Sequence, residues 1–442
     1  MTQAQQAQFE DHFARGDYAL AASRAAKQEG KGAGGSSQLL WKLQQGAALQ
    51  AAGDMEESIE LFDTTEAFFS HFDQDNRLMR WSEQLAALFS NDSALAYRGT
   101  LYDAIMVNSY KALGFMTLGE MGNARVELNR ARDRQRRAVI RYSDRIREER
   151  EALREEAPAG TDMDSTLSRA EQRLESEYRR LEPWSVYPAF VNPLATWLEG
   201  LYLLTVGEAR GDSSSAVQAL ERAVGMVPEN PQLKRDLQWA IDLADGRRRR
   251  EDLPATVWVL FENGLGPVKE EQRIEIPVVF SVSDRPAIFT GLAYPVLRYR
   301  NGIPGGLRVG ESGQTAELLS NMDAVISTEF RERLPAVIAR AVAASVARAT
   351  LQYQLQRQWG DLAGFVGLLY QIYATQADTR IWSALPKRFD MTAVEKPDDN
   401  RLRLSWAGQN PEVVLPEGQF HLVWVRAPSA GADPGIRVIT LE

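Results

Sequence analysis

The sequence predicts a multidomain chain in which an all-α repeat superhelix, carrying an inserted helical hairpin, is followed by an α+β domain. Three observations lead there. Turn glycines recur at near-regular intervals through the first 250 residues, a charged stretch interrupts them, and beyond Pro254 short β-branched and aromatic runs replace the helical texture. The predicted divisions are 1–250 for the helical region, with the insertion at 129–182, and 254–442 for the second domain, where strands flank an Ala-rich helical segment at 321–377.

The repeat is clearest around the turn Gly53-Asp54, with Gly46 seven residues before the turn glycine, Ser58 five after it and Phe62 nine after it. Two short helices that cross closely need small residues where backbones approach and large ones where holes remain. That grammar is tetratricopeptide-like. It recurs at Gly16-Asp17-Tyr18 with Ala21 and Ala25, at Gly119 with Ala112, Phe115, Ala124 and Leu128, and at Gly211-Asp212 with Ala216, Leu220, Ala223 and Pro228. The step from Gly16 to Gly53 is 37 residues and from Gly53 to Gly119 is 66, near one and two repeats of about 34. A degenerate repeat near 72–97 fills the gap, and Asn192-Pro193 starts the last repeat with an N-cap and a first-turn proline. An unrelated helical bundle is the alternative.

From Gly119 to Gly211 the step is 92 residues, and the excess is the insertion. Val139, Tyr142, Ile146 and Leu153 fall at helical spacing, as do Leu167, Ala170, Leu174, Tyr178 and Leu181, with the breaker Ala157-Pro158-Ala159-Gly160 between them. Two such stripes bury each other, and the Arg/Glu runs are their solvated faces.

The first helix of each pair lines the concave face, which the repeat register places at Leu40, Leu43, Ala47, Met106, Leu113, Met116, Leu198 and Leu201. This wall is apolar, with almost no Lys, Arg or Asn, so a clamp for an acidic peptide tail is not expected. Two occupants fit it: an apolar segment of a protein partner, or the chain's own hairpin or C-terminal part.

Gly246 and the run 247–250 of four arginines end the helical region, where cations suit a helix C-terminus without any ligand. Strands are expected at 256–261, 273–282, 293–299, 401–406, 420–425 and 436–441, and helices at 321–333, 335–358 and 361–377. The middle helix is faced with alanines and the next carries Gly364 and Gly367, so a close helical hairpin covering the sheet is predicted. A membrane-contacting hairpin with Arg340 and Arg348 on one face is the alternative. Asn263-Gly264 supports a tight hairpin turn with positive φ, followed by a stiffening Pro267.

Two segments, Phe261-Glu262-Asn263-Gly264-Leu265-Gly266-Pro267-Val268-Lys269-Glu270-Glu271 and Gln376-Ala377-Asp378-Thr379-Arg380-Ile381-Trp382-Ser383-Ala384-Leu385-Pro386, are specific in composition, and Asn108-Ser109-Tyr110-Lys111-Ala112-Leu113 accompanies them. Together they resemble a group of proteobacterial tetratricopeptide proteins, mostly predicted envelope lipoproteins of unassigned activity. The resemblance extends over most of the chain and implies a periplasmic setting, outer-membrane-associated where a lipoprotein leader has been removed. The chain has no lipobox cysteine, so anchoring requires such a leader, and a cytoplasmic location is expected otherwise.

Composition narrows the function. A formal charge of −9 is a poor match to a phosphate backbone, so nucleic acid is not an expected partner. The absence of cysteine removes thiolate nucleophiles, Cys-ligated zinc, Fe–S clusters and disulfides. His12, His71 and His421 lie in unrelated contexts. Met1 leads into a polar, Gln-rich helix, and the longest uncharged run, 362–377, has 16 residues, short of the ~20 that span a bilayer. Residues 30–37 lack the preceding strand and Lys-Ser/Thr pair of a phosphate loop, and 302–313 lack dinucleotide spacing. Glu262, Glu270 and Glu271 offer carboxylates for a cation or an acid/base pair, but charges flanking a turn are ordinarily solvated; Asp378 and Arg380 are expected to cap or to pair, with Trp382 packing on the sheet. No catalytic, cofactor-binding or metal residue is assigned. The expectation is a non-enzymatic scaffold for envelope proteins, able to self-associate, with membrane contact only peripheral or through an anchor. An envelope enzyme or glycan-binding module with its site in the C-terminal domain is the alternative, and convergent carboxylates near Glu262, Glu270 and Asp378 would favour it.

Overall fold

The computed structural model describes residues 3–31, 37–73, 97, 99–155, 162, 164–170, 172, 191–209, 211–278, 288–334, 337–338, 341–342 and 377–442. A helical region precedes an α+β domain. The helices are α1 (Gln3–Arg15), α2 (Tyr18–Lys31), α3 (Gln38–Ala52), α4 (Met55–Asp63), α5 (Glu66–Asp73), α6 (Leu101–Thr117), α7 (Met121–Glu155), α8 (Pro193–Thr205), α9 (Asp212–Met226) and α10 (Pro231–Ala244). Local chemistry sets their starts: Asn192 and Asn230 accept from the Leu194 and Gln232 N–H groups, each just ahead of a first-turn proline, and Thr100 with Asp103 forms a capping box. Close crossing sets their spacing. A Cβ on Gly46 would lie 2.5 Å from the Phe62 ring, while the Ser58 hydroxyl donates to the Gly46 carbonyl at 2.8 Å.

The insertion does not begin with a new helix. α7 runs unbroken through 35 residues from the repeat into the charged stretch, because no glycine or proline stands between Gly122 and Pro158 and Arg, Glu and Ala favour helix throughout. Its second arm is helical at 164–170, with Leu167 and Ala170 buried. The predicted breaker at 157–160, residues 173–190, the degenerate repeat from 74 to 96 and most of the Ala-rich segment, including Arg340, Arg348, Gly364 and Gly367, lie outside the described residues. Among the described residues no helix is long and apolar enough to cross a membrane.

The strands are β1 (Thr256–Asn263), β2 (Val268–Val278), β3 (Ile288–Arg298), β4 (Arg308–Val309), β5 (Gln314–Thr315), β6 (Glu317–Asn321), β7 (Arg388–Glu395), β8 (Arg401–Ser405), β9 (Glu412–Val414), β10 (Phe420–Ala427) and β11 (Gly435–Thr440), with helix α11 at 322–334. A five-stranded sheet has the order β11-β10-β1-β7-β6, with β1 and β10 parallel and its other neighbours antiparallel. A four-stranded sheet, β5-β4-β8-β9, covers one of its faces and the helices cover the other. Sandwiched this way, β1 and β10 are buried along their whole length.

Two expectations need correction. Asn263-Gly264 is not a hairpin turn, since β1 pairs with β7 and β10 while β2 pairs with β3 in a separate ribbon. Gly264 does have positive φ, 69°, but its N–H donates to the Ala427 carbonyl, extending the parallel ladder before the chain departs. The strand at 388–395 was not expected at all. Its Phe389, Met391 and Ala393 alternate with Asp390 and Thr392, and those polar side chains are buried too, which hides the usual apolar-in, polar-out signal.

Candidate functional site

The inner wall of the helical region lies against the chain's own sheet. Leu40, Leu43, Met106, Leu113, Met116, Leu198 and Leu201 are each no more than 3% exposed, and they share one core cluster with Trp258, Leu260, Leu422, Trp424, Ile439 and Leu441. The groove is therefore not an open partner site, and of the two occupants foreseen the C-terminal part fills it. The reason is physical. A covalently attached apolar face reaches the wall without the translational entropy that a separate partner loses on binding. Polar seams fix the seating: Gln44 donates to the Ser383 hydroxyl at 2.8 Å and accepts from the Ala384 N–H at 3.1 Å, and Asn230 donates to the Leu318 carbonyl at 3.0 Å.

At the centre of this interface stands Glu262, on the helix-facing side of β1 and 1% exposed. It accepts from the Trp424 indole at 2.8 Å, the Arg426 guanidinium at 2.6 Å and the Tyr110 hydroxyl at 3.2 Å. Burial pushes its carboxyl above the ordinary range, and Arg426 opposes that shift. Burial, then the Glu262 charge, pushes the Tyr110 hydroxyl well upward. The Tyr110 ring also stacks on Trp424 at 6.1 Å and meets Trp382 edge-on at 5.9 Å. Beside the pair is a cavity of about 20 Å³, bordered by Phe13, Gln50, Tyr110, Arg426 and Arg437. It has room for about one water molecule and not for a substrate.

The other residues singled out in the sequence disperse. Phe261 points to the opposite face of the sheet and packs on Trp406 at 5.5 Å. The Asn263 amide accepts from the Ile303 N–H at 2.7 Å and donates to Asp390 at 3.1 Å, tying three segments together beside Gly264. Lys269 donates to the Arg380 carbonyl at 3.1 Å, and burial pushes its ammonium down. Glu270 pairs with Arg298 at the surface. Burial works to raise the Asp378 carboxyl, and the two hydrogen bonds from the Arg380 guanidinium, each 2.8 Å, overcome it and leave the group below its usual range. Trp382 meets the Phe62 and Tyr110 rings edge-on, each at 5.9 Å, in the core cluster that the helices share with the sheet.

Each of the carboxylates Glu262, Glu270 and Asp378 is thus taken by a different arginine. Among the described residues no group of three or more His, Asp or Glu side chains is placed to hold a metal ion. Sequence reasoning missed Arg426, whose apolar strand neighbours gave no hint of a buried cation, and Lys111, fully buried among Asp63, Glu127 and Glu66. A lysine in a helix dominated by apolar residues was the available signal. No protein-family model, curated protein or solved structure matches the chain.

Proposed function

We propose that the chain is a non-enzymatic scaffold for protein partners of the bacterial cell envelope, with self-association as one of its modes. One observation carries this reading. The carboxylates that an enzymatic or glycan-binding site would have to bring together are instead each paired with a different arginine of the chain, Glu262 inside the core and Glu270 at the surface. We further read the helical region as a tetratricopeptide-like superhelix, supported by the approach of Gly46 to Phe62 and of Gly200 to Leu220, where an added Cβ would lie 2.5 and 2.7 Å from the partner side chains. Because the inner wall is occupied, partner contact falls to outer surfaces, foremost the long α7. The envelope setting rests on the resemblance of residues 108–113, 261–271 and 376–386, and membrane contact is then peripheral or through a lipid anchor. Light scattering of the purified full-length chain, followed by cross-linking in envelope extract, tests the proposal. A defined oligomer or a discrete cross-linked complex is expected; a strict monomer that cross-links to nothing sinks it.

A further inference from the structure

Two buried carboxylates meet at the N-terminus of α6. Asp103, fully buried, accepts from the Thr100 N–H at 2.8 Å and from the Tyr97 hydroxyl at 2.7 Å through one oxygen, while its other oxygen, Oδ1, has no hydrogen-bond partner. Glu329, 2% exposed on α11, accepts from the next two amides, Leu101 at 2.9 Å and Tyr102 at 3.0 Å. A helix of the C-terminal domain thereby docks on the positive end of a helix in the helical region, and a second acid sits in the same place. We propose that Asp103 is the proton-binding group of this seam, so that proton uptake tightens the seat of the C-terminal domain and release loosens it. This is independent of the scaffold reading.

An orphaned, buried carboxylate oxygen is costly while charged and can accept a proton there. The surroundings do not neutralise it outright. Tyr97 and Tyr102 face it from its own segment, Glu329 from α11 and Lys269 from β2, and around these neighbours stand Arg333 of α11 and Asp378 and Arg380 of the segment beyond. On the α7 side, Arg134 reaches the Ala104 carbonyl but is paired with Glu66. Burial pushes the Asp103 carboxyl up to about 6, against the pull of its bonds from Tyr97 and Thr100. The sign follows from linkage. An acid whose folded value exceeds its unfolded value destabilises the fold while ionised, and that penalty fades as pH falls through the folded value.

Urea unfolding of the full-length chain at a series of pH values tests this. Between about pH 7.5 and about pH 5, Asp103 should contribute an about tenfold gain in the folded-to-unfolded ratio, and Asp103→Asn should lack that part of the gain. A merely structural Asp103 would leave the pH slope of the variant equal to that of the wild type, and that result overturns the proposal. Should Asp103→Asn not fold, Tyr97→Phe decides: losing a bond to the charged form moves the pH transition upward, and an unmoved transition overturns the proposal equally.

Discussion

On the side of the five-stranded sheet that meets the helices, large side chains come with directional partners: the Trp424 indole donates to Glu262, and the Trp258 indole donates to Asp236 of α10 at 3.0 Å. The opposite side packs Val257, Val259, Phe261, Val423 and Val425 against Leu307, Leu402, Leu404 and Leu415, a mostly aliphatic contact. The two faces of one sheet thus follow different rules. The aliphatic face accepts rearrangement of similar volumes, whereas the helix face is held in one seating by directional bonds such as those of Trp424 to Glu262 and Trp258 to Asp236. Specific attachment of the sheet to the helices therefore depends on a few polar side chains, although the apolar area supplies most of the stabilisation.

The largest expected effect tests that dependence. Glu262→Ala strands a buried guanidinium and should destabilise by about 3–5 kcal/mol in urea titration, whereas Glu262→Gln combined with Arg426→Met should lose much less. Equal losses would mean that the pair contributes as volume and not as charge. Next, Leu260→Ala on the helix face and Leu402→Ala in the covering sheet should each lose about 2–5 kcal/mol. If the two faces unfold as one cooperative unit, both variants shift the same single transition by circular dichroism; two separated transitions would divide the sheets into independent units. Smallest is Gly46→Ala, about 1–3 kcal/mol from crowding the Phe62 ring, a change confined to a helix crossing and leaving the pH response at Asp103 untouched.

Legibility followed distance along the chain. The Gly46, Ser58 and Phe62 pattern and the Asn192-Pro193 start could be read because the interactions they serve lie within a helix pair or a single turn. The strands β1 and β10 were visible as apolar runs. What failed was non-local. Glu262 and Arg426 are 164 residues apart and Leu101 and Glu329 are 228 apart, so neither pairing leaves a spacing signal. β7 escaped because Asp390 meets Asn263 on the neighbouring strand β1 as well as Arg388 on its own strand, a partnership that converts a solvent-like residue into a buried one.

The amino-acid order by itself settled the helix-then-sheet division, the positions of close helix crossings and the exclusion of cysteine chemistry, since propensity, capping and periodicity act within a few residues. Only the tertiary structure decided what lies against the apolar inner wall and which cation answers each buried acid. Those choices depend on which surfaces become neighbours after folding, where removing water makes an unpaired charge expensive and a filled wall favourable, and no local pattern encodes that neighbourhood.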